Sequence, residues 1–130
     1  MWSFERHADR VDVTLDGVVI GTYLQRHDQL MRPAWINLRS SGGTAVTRPF
    51  PVTDPENNDH PWFHPAIWIS YAHLDGHDFW RLAAPVRHEA FLAEPAVSDY
   101  GGTITFEVRN RYVTSSAEEL VCLEDVRYAW

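Results

Sequence analysis

Apolar and polar residues alternate with a period of two along most of this chain, the signature of half-buried strands. Phe4 to Thr22 reads as a hairpin or a pair of short strands, with Val11, Val13 and Leu15 alternating, Asp16-Gly17 as the turn, and Val18-Val19-Ile20 following. Ala34 to Leu38 fits a short strand, Ser40 to Gly43 a loop, and Thr44 to Phe50 a further extended piece. In Ala66 to His73 the residues Ile67, Ile69, Tyr71 and His73 share one predicted face and Trp68, Ser70 and Ala72 the other. Val86 to Leu92 predicts a strand with Val86, His88, Ala90 and Leu92 on one side. Thr103 to Val113 alternates cleanly, and Leu120 to Trp130 does so less cleanly. Between Ala117 and Glu124 a short helix competes through its Glu and Leu content, but the strand-rich surroundings favour β.

The expected fold is therefore all-β, about eight antiparallel strands in a β-sandwich or a strongly twisted sheet. Residues 1–130 make a single β domain without repeat or linker. The apolar end Tyr128-Ala129-Trp130 suggests an incomplete portion of a larger sandwich, because termini usually fray into polar sequence. An unpaired sheet edge would then favour homo-oligomers.

Composition narrows the function classes. A 45% hydrophobic content with many aromatics argues for a folded protein, and a net charge of -7 argues against nucleic-acid or anionic-membrane partners. All eleven basic residues are arginines, so Schiff-base lysines and a phosphate-loop lysine are excluded. Cys122 is the only cysteine, which excludes an internal disulfide and a cysteine-based zinc site and fits a reducing cytoplasm. No apolar run approaches the roughly 20 residues that span a bilayer. Neither a nucleophile motif nor a phosphate-binding glycine loop is present, and the sequence specifies no cofactor.

The candidate chemistry lies between Arg48 and Arg81, which holds four of the seven histidines. Its first part, TDPENNDHPWFHP, has too many prolines, asparagines and aspartates for a helix; Trp62 and Phe63 are expected to pin it as an ordered loop. His60 and His64, like His73 and His77, are four apart, yet Pro61, Pro65 and Gly76 forbid the helix that would make this a metalloprotease pattern. If the intervening strand is extended, the two pairs stand about 25 Å apart, too far for one four-histidine metal site. A smaller metal set remains: His60 and His64 with Asp54, Glu56 or Asp59. The metal-free alternative is a sugar platform, in which Trp62 stacks on a pyranose face while His, Asp, Asn and Arg side chains bind its hydroxyls. A His/carboxylate pair could also transfer a sugar proton.

Val46-Thr47-Arg48, Asp59-His60-Pro61 with His64, and Asp75-Gly76-His77-Asp78-Phe79-Trp80 occur in an order that resembles the uncharacterised bacterial family labelled methane oxygenase PmoA-like. The Asp16-Gly17 hairpin is similar to that family's start. The resemblance implies a β-sandwich, a carbohydrate role, and correspondence to the front part of a longer domain. A membrane methane-oxidising subunit would need spanning helices, which this sequence lacks. By the resemblance His60 and His64 are the leading site residues; Ser70 and Tyr71 stand where members often carry a further His or Gly.

The expected function is that of a carbohydrate-related protein acting on or binding a sugar. His60, His64 and Asp59 are the candidate catalytic residues, and Trp62, Arg48, Tyr71 and Asp78 the candidate ligand contacts. The alternatives are a non-catalytic carbohydrate-binding module and a metal-dependent oxygenase or hydrolase.

Overall fold

The structure, a computed structural model, describes residues 1–62, 64–81 and 83–130. Four strands, β1 (Trp2–Arg6), β2 (Arg10–Leu15), β3 (Val18–Leu24) and β4 (Ala34–Ile36), form one antiparallel sheet in that order. Three longer strands, β5 (Val86–Val97), β6 (Ile104–Val113) and β7 (Leu120–Ala129), form a second antiparallel sheet. The all-β reading is correct, with seven strands among the described residues, and the sheets do not close into a barrel. No helix of the described residues is long and apolar enough to cross a membrane.

The two sheets pack through the alternating positions of their inner faces. Val11 and Val13 of β2, Tyr23 of β3 and Trp35 of β4 meet Ile104, Phe106 and Val108 of β6 in one buried cluster. Tyr23 lies 5.5 Å, ring centre to ring centre, from Phe106 and 5.2 Å from Tyr128 of β7. Burying each such side chain contributes about 1.5–3 kcal/mol, which holds the sheets face to face. Trp130, partly buried, packs against this core at 4.8 Å from Trp35.

The turn chemistry works as anticipated at Asp16-Gly17, where φ values of 49° and 82° give the left-handed pair that a two-residue hairpin needs. At β7 the competing helix does not form: Thr114 accepts hydrogen bonds from Glu118 and Glu119 within a tight turn, and the strand begins at Leu120.

Three expectations are corrected. Ala66 to His73 is not a strand: only Ile67 pairs with β4, exchanging both backbone hydrogen bonds with Trp35 at 2.8 and 3.1 Å. Beyond it the Ser70 hydroxyl donates to the Phe79 carbonyl at 2.6 Å and the Tyr71 carbonyl accepts from Phe79 N–H at 3.1 Å, so the chain folds back on Phe79 instead of running along the sheet. Thr44 to Phe50 is likewise no strand, contributing one bridge, Ala45 to Arg39. In β5 the register slips between His88 and Ala90. This bulge turns Phe91 inward onto the core and leaves Leu92 exposed, the reverse of the simple alternation.

Candidate functional site

The long connection from β4 to β5 carries the candidate residues, and local hydrogen bonding shapes it. Arg48 donates to the carbonyls of Asn57 and Asp59 at 2.5 and 2.9 Å and stands 3.7 Å from the exposed Asp59 carboxylate. Asp54 accepts from Glu56 N–H at 2.9 Å and Asn57 Nδ2 at 2.8 Å. The Asn57 amide and the Glu56 backbone thereby hold the Asp54 carboxyl below its ordinary pKa. Arg48, Asp54, Asn57 and Asp59 surround a hollow of about 370 Å³. The loop is thus tied by Arg48, while Trp62, expected to pin it, is 41% exposed and Phe63 lies outside the described residues.

His60, with φ of 48°, accepts at its carbonyl from the His64 N–H at 3.0 Å, a one-turn fold that brings the two imidazoles to 5.2 Å. His64 then stacks on Trp68 at 5.1 Å and 22°, and Trp80 completes the group at 5.7 Å from Trp68. Trp68 and Trp80 therefore occupy the stacking positions beside His64. Both escaped the sequence reading, although Trp68 lies on the inward face of the alternation that pointed there.

Tyr71 lies over Tyr112 at 5.8 Å and is half exposed. Asp78 caps the following turn, accepting from the N–H groups of Trp80 and Arg81 and from the Arg81 guanidinium at 2.9, 3.2 and 3.0 Å. Partial burial opposes its charge, but these donors outweigh it and leave its pKa below the ordinary value. His73 and His77 flank the turn Asp75-Gly76, with Leu74 and His77 bridged across it. Among the described residues no three His, Cys, Asp or Glu side chains gather closely enough to hold a metal ion, so His60 and His64 are not joined by Asp54, Glu56 or Asp59 in one ligand set.

A family model described as Family of unknown function (DUF6807) matches residues 10–130. The chain belongs to that family. No curated protein and no solved structure matches it. The DUF6807 match covers the whole candidate loop and both sheets except β1.

This DUF6807 chain also has a cleft that its sequence did not reveal. It measures about 630 Å³ and lies where β1, the segment after β3 and the bulged part of β5 meet, with Arg6, Gln25, Arg26, His27, Arg32 and His88 on its wall. Arg32 is only 2% exposed. Its Nη2 donates to the Trp80 carbonyl at 2.5 Å and its guanidinium lies 5.8 Å from the Trp68 ring, so it links the cleft to the aromatic group. Burial draws the Arg32 pKa down to about 10, still cationic at neutral pH. His88 is held below its ordinary pKa by burial first, then by Arg6 and Arg26. Residues 6, 25, 32 and 88 are scattered in sequence, and nothing in local pattern marks them as neighbours.

Proposed function

We propose that this protein binds carbohydrate on the face formed by His60, His64, Trp68 and Trp80, with the Arg48/Asp59 loop beside it supplying polar contacts. The observation that carries this reading is the stacked His64–Trp68 pair with Trp80, 39% exposed, alongside it. Sugar rings offer apolar C–H faces to aromatic side chains and hydroxyls to carboxylates and imidazoles. The Asp59 carboxylate, exposed and engaged on one side by Arg48, is the acceptor nearest to that description. The methane oxygenase PmoA-like resemblance supports the carbohydrate role; the oxygenase part of that label plays no role here. A reducing cytoplasm suits the free Cys122.

A catalytic version assigns proton transfer to His60 and His64 with Asp59, favoured by the 5.2 Å approach of the two imidazoles. The test is titration of the full chain with a panel of neutral mono- and oligosaccharides, followed by tryptophan fluorescence and calorimetry. Saturable binding should weaken by about tenfold or more in Trp80→Ala and His64→Ala while their melts stay cooperative. Unchanged affinity in both variants, or no saturable binding across the panel, would defeat the proposal. If a bound sugar is also turned over, His60→Ala should lower kcat more than it weakens binding.

A further inference from the structure

Among the described residues every arginine except Arg26, Arg32 and Arg39 stands within 3.9 Å of a carboxylate. Two of these three exceptions, Arg26 and Arg32, line the same cleft of about 630 Å³. Arg32 is the unusual one. It is 98% buried by its 2% exposure, and its Nε and Nη1 have no acceptor among the described residues. Gln25 Nε2, on the same wall, is also buried without one. Burying a guanidinium with unmet donors is strongly unfavourable unless something supplies charge and acceptors.

No nearby acid among the described residues accepts from these donors, and Asp78 acts on Arg32 through its charge alone. Glu94 is taken by Arg6, and Glu89 stands 3.5 Å from Arg111. Asp9 and Asp28 border the adjoining hollow with Arg26 and His27, and Asp9 is engaged by Arg10 at 3.2 Å. The unmet donors therefore concentrate at the Arg32 end of the cleft, in a chain whose net charge is -7. That His88 is held neutral partly by Arg6 and Arg26 agrees with a positive potential there.

We propose that this cleft is a binding site for the oxyanion group, carboxylate or phosphate, of a small organic molecule, with Arg32, Arg26 and Gln25 as its donors. A delocalised guanidinium suits both groups, since each offers several oxygens and a negative charge. The volume falls in the range of small-molecule sites. The site is separate from the aromatic face, and the proposal stands whether or not that face takes sugar.

The test follows arginine side-chain Nε–Hε signals by NMR while the full chain is titrated with D-gluconate, D-glucose 6-phosphate and D-glucose, with calorimetry in parallel. One or both anions should shift the Arg32 and Arg26 signals, and glucose should leave them in place. Arg26→Gln should weaken the anion by about tenfold, and Arg39→Gln, altering the arginine outside the cleft that has no carboxylate partner among the described residues, should not. Arg32→Gln also removes the bond to Trp80 and can unfold the chain, so Arg26→Gln carries the comparison. A response to gluconate alone identifies an organic acid, and one to the phosphate ester alone a phosphorylated ligand. His64→Ala, which alters the aromatic face and keeps both Trp80 and Trp68 beside Arg32, should leave these shifts intact, which keeps the outcome distinct from sugar binding at that face. If neither anion moves the Arg32 signal, or glucose moves it equally, the cleft does not select an oxyanion and the proposal is wrong.

Discussion

Gly21 lies beneath the indole of Trp130: a Cβ built on Gly21 would stand 3.0 Å from Trp130 Cη2 and 2.6 Å from Leu38 Cδ2. A side chain at this point of β3 would therefore force Leu38, and with it Trp130, to shift. Gly21→Ala should destabilise the fold by about 1–3 kcal/mol, because Leu38 and Trp130 are both part of the packed core and must shift. Urea unfolding checks this. A variant as stable as the parent would mean that Leu38 repacks freely and that Trp130 does not constrain β3.

Asn37 performs a backbone task with its side chain. Its Oδ1 accepts from Phe50 N–H at 2.8 Å and its Nδ2 donates to the Phe50 carbonyl at 3.2 Å, pairing the start of the long connection with its later part. It does this with φ of 52°, a conformation that costs most side chains about 1–2 kcal/mol. Asn37→Ala loses the two bonds and keeps the strain, so about 2–4 kcal/mol of stability should go. Asn37→Gly relieves the strain alone and should recover part of that loss in the same denaturation experiment. If Ala and Gly prove equally costly, the left-handed backbone is not what makes this position demanding.

How much of this was legible depends on whether the deciding contact is local. The Asp16-Gly17 hairpin and the alternation of β6 are local, and both appear as read, with Ile104, Phe106 and Val108 buried. Ala66 to His73 alternates just as well, and Ile67, Ile69 and Tyr71 do point outward, but β4 offers a partner of only three residues. Pairing length is a property of the neighbour, so periodicity alone could not tell a strand from a single bridge. The bulge after His88 is hidden for the same reason. At the site, the loop residues were found where the histidines cluster, whereas Trp68 and Trp80, the indoles that meet His64, were passed over for Trp62, which is nearer in sequence. Nothing in the local pattern marks Arg32; it is held by contacts with Trp80, 48 residues further along, and with Trp68.

Inside the second sheet, Glu124 of β7 ties together two residues of β6. Its Oε2 accepts from the Tyr112 hydroxyl at 2.7 Å and its Oε1 from Asn110 Nδ2 at 3.1 Å. Tyr112 and Asn110 are both buried, and burial with the nearby carboxylate drives the Tyr112 pKa far above its ordinary value, so the hydroxyl remains a donor throughout the accessible pH range. Tyr112→Phe removes one charge-assisted bond without opening a cavity and should cost about 1.5–3 kcal/mol. Glu124→Ala strands both donors and should cost more. Thermal and urea melts give the order, and a Tyr112→Phe variant that costs as much as Glu124→Ala would show that Asn110 gains nothing from the carboxylate.

His88 gives the protein a pH dependence whose direction follows from its surroundings. The ring lies 4.9 Å from Phe91 and 6.0 Å from Tyr23, whose hydroxyl is 3.3 Å from Nδ1. Burial is the largest influence on it, Arg6 and Arg26 add repulsion, and Glu94 opposes them weakly, so its pKa lies below the ordinary 6.5. Tyr23 is itself kept protonated by burial, so its hydroxyl shares one proton-bearing contact with Nδ1 and adds no charge beside the ring. Since the unfolded chain binds the His88 proton at a higher pH than the folded one, the contribution of His88 to stability is complete above 6.5 and is lost as pH falls toward the folded value. An NMR titration should show His88 protonating at lower pH than His88 in the unfolded chain, and the parent should lose melting temperature on acidification more steeply than His88→Gln. Added salt should narrow the difference by screening Arg6 and Arg26, but should not abolish it, because desolvation is the leading cause. A His88 that titrates at or above 6.5 would place the ring in water and remove it from the wall between Tyr23 and the cleft.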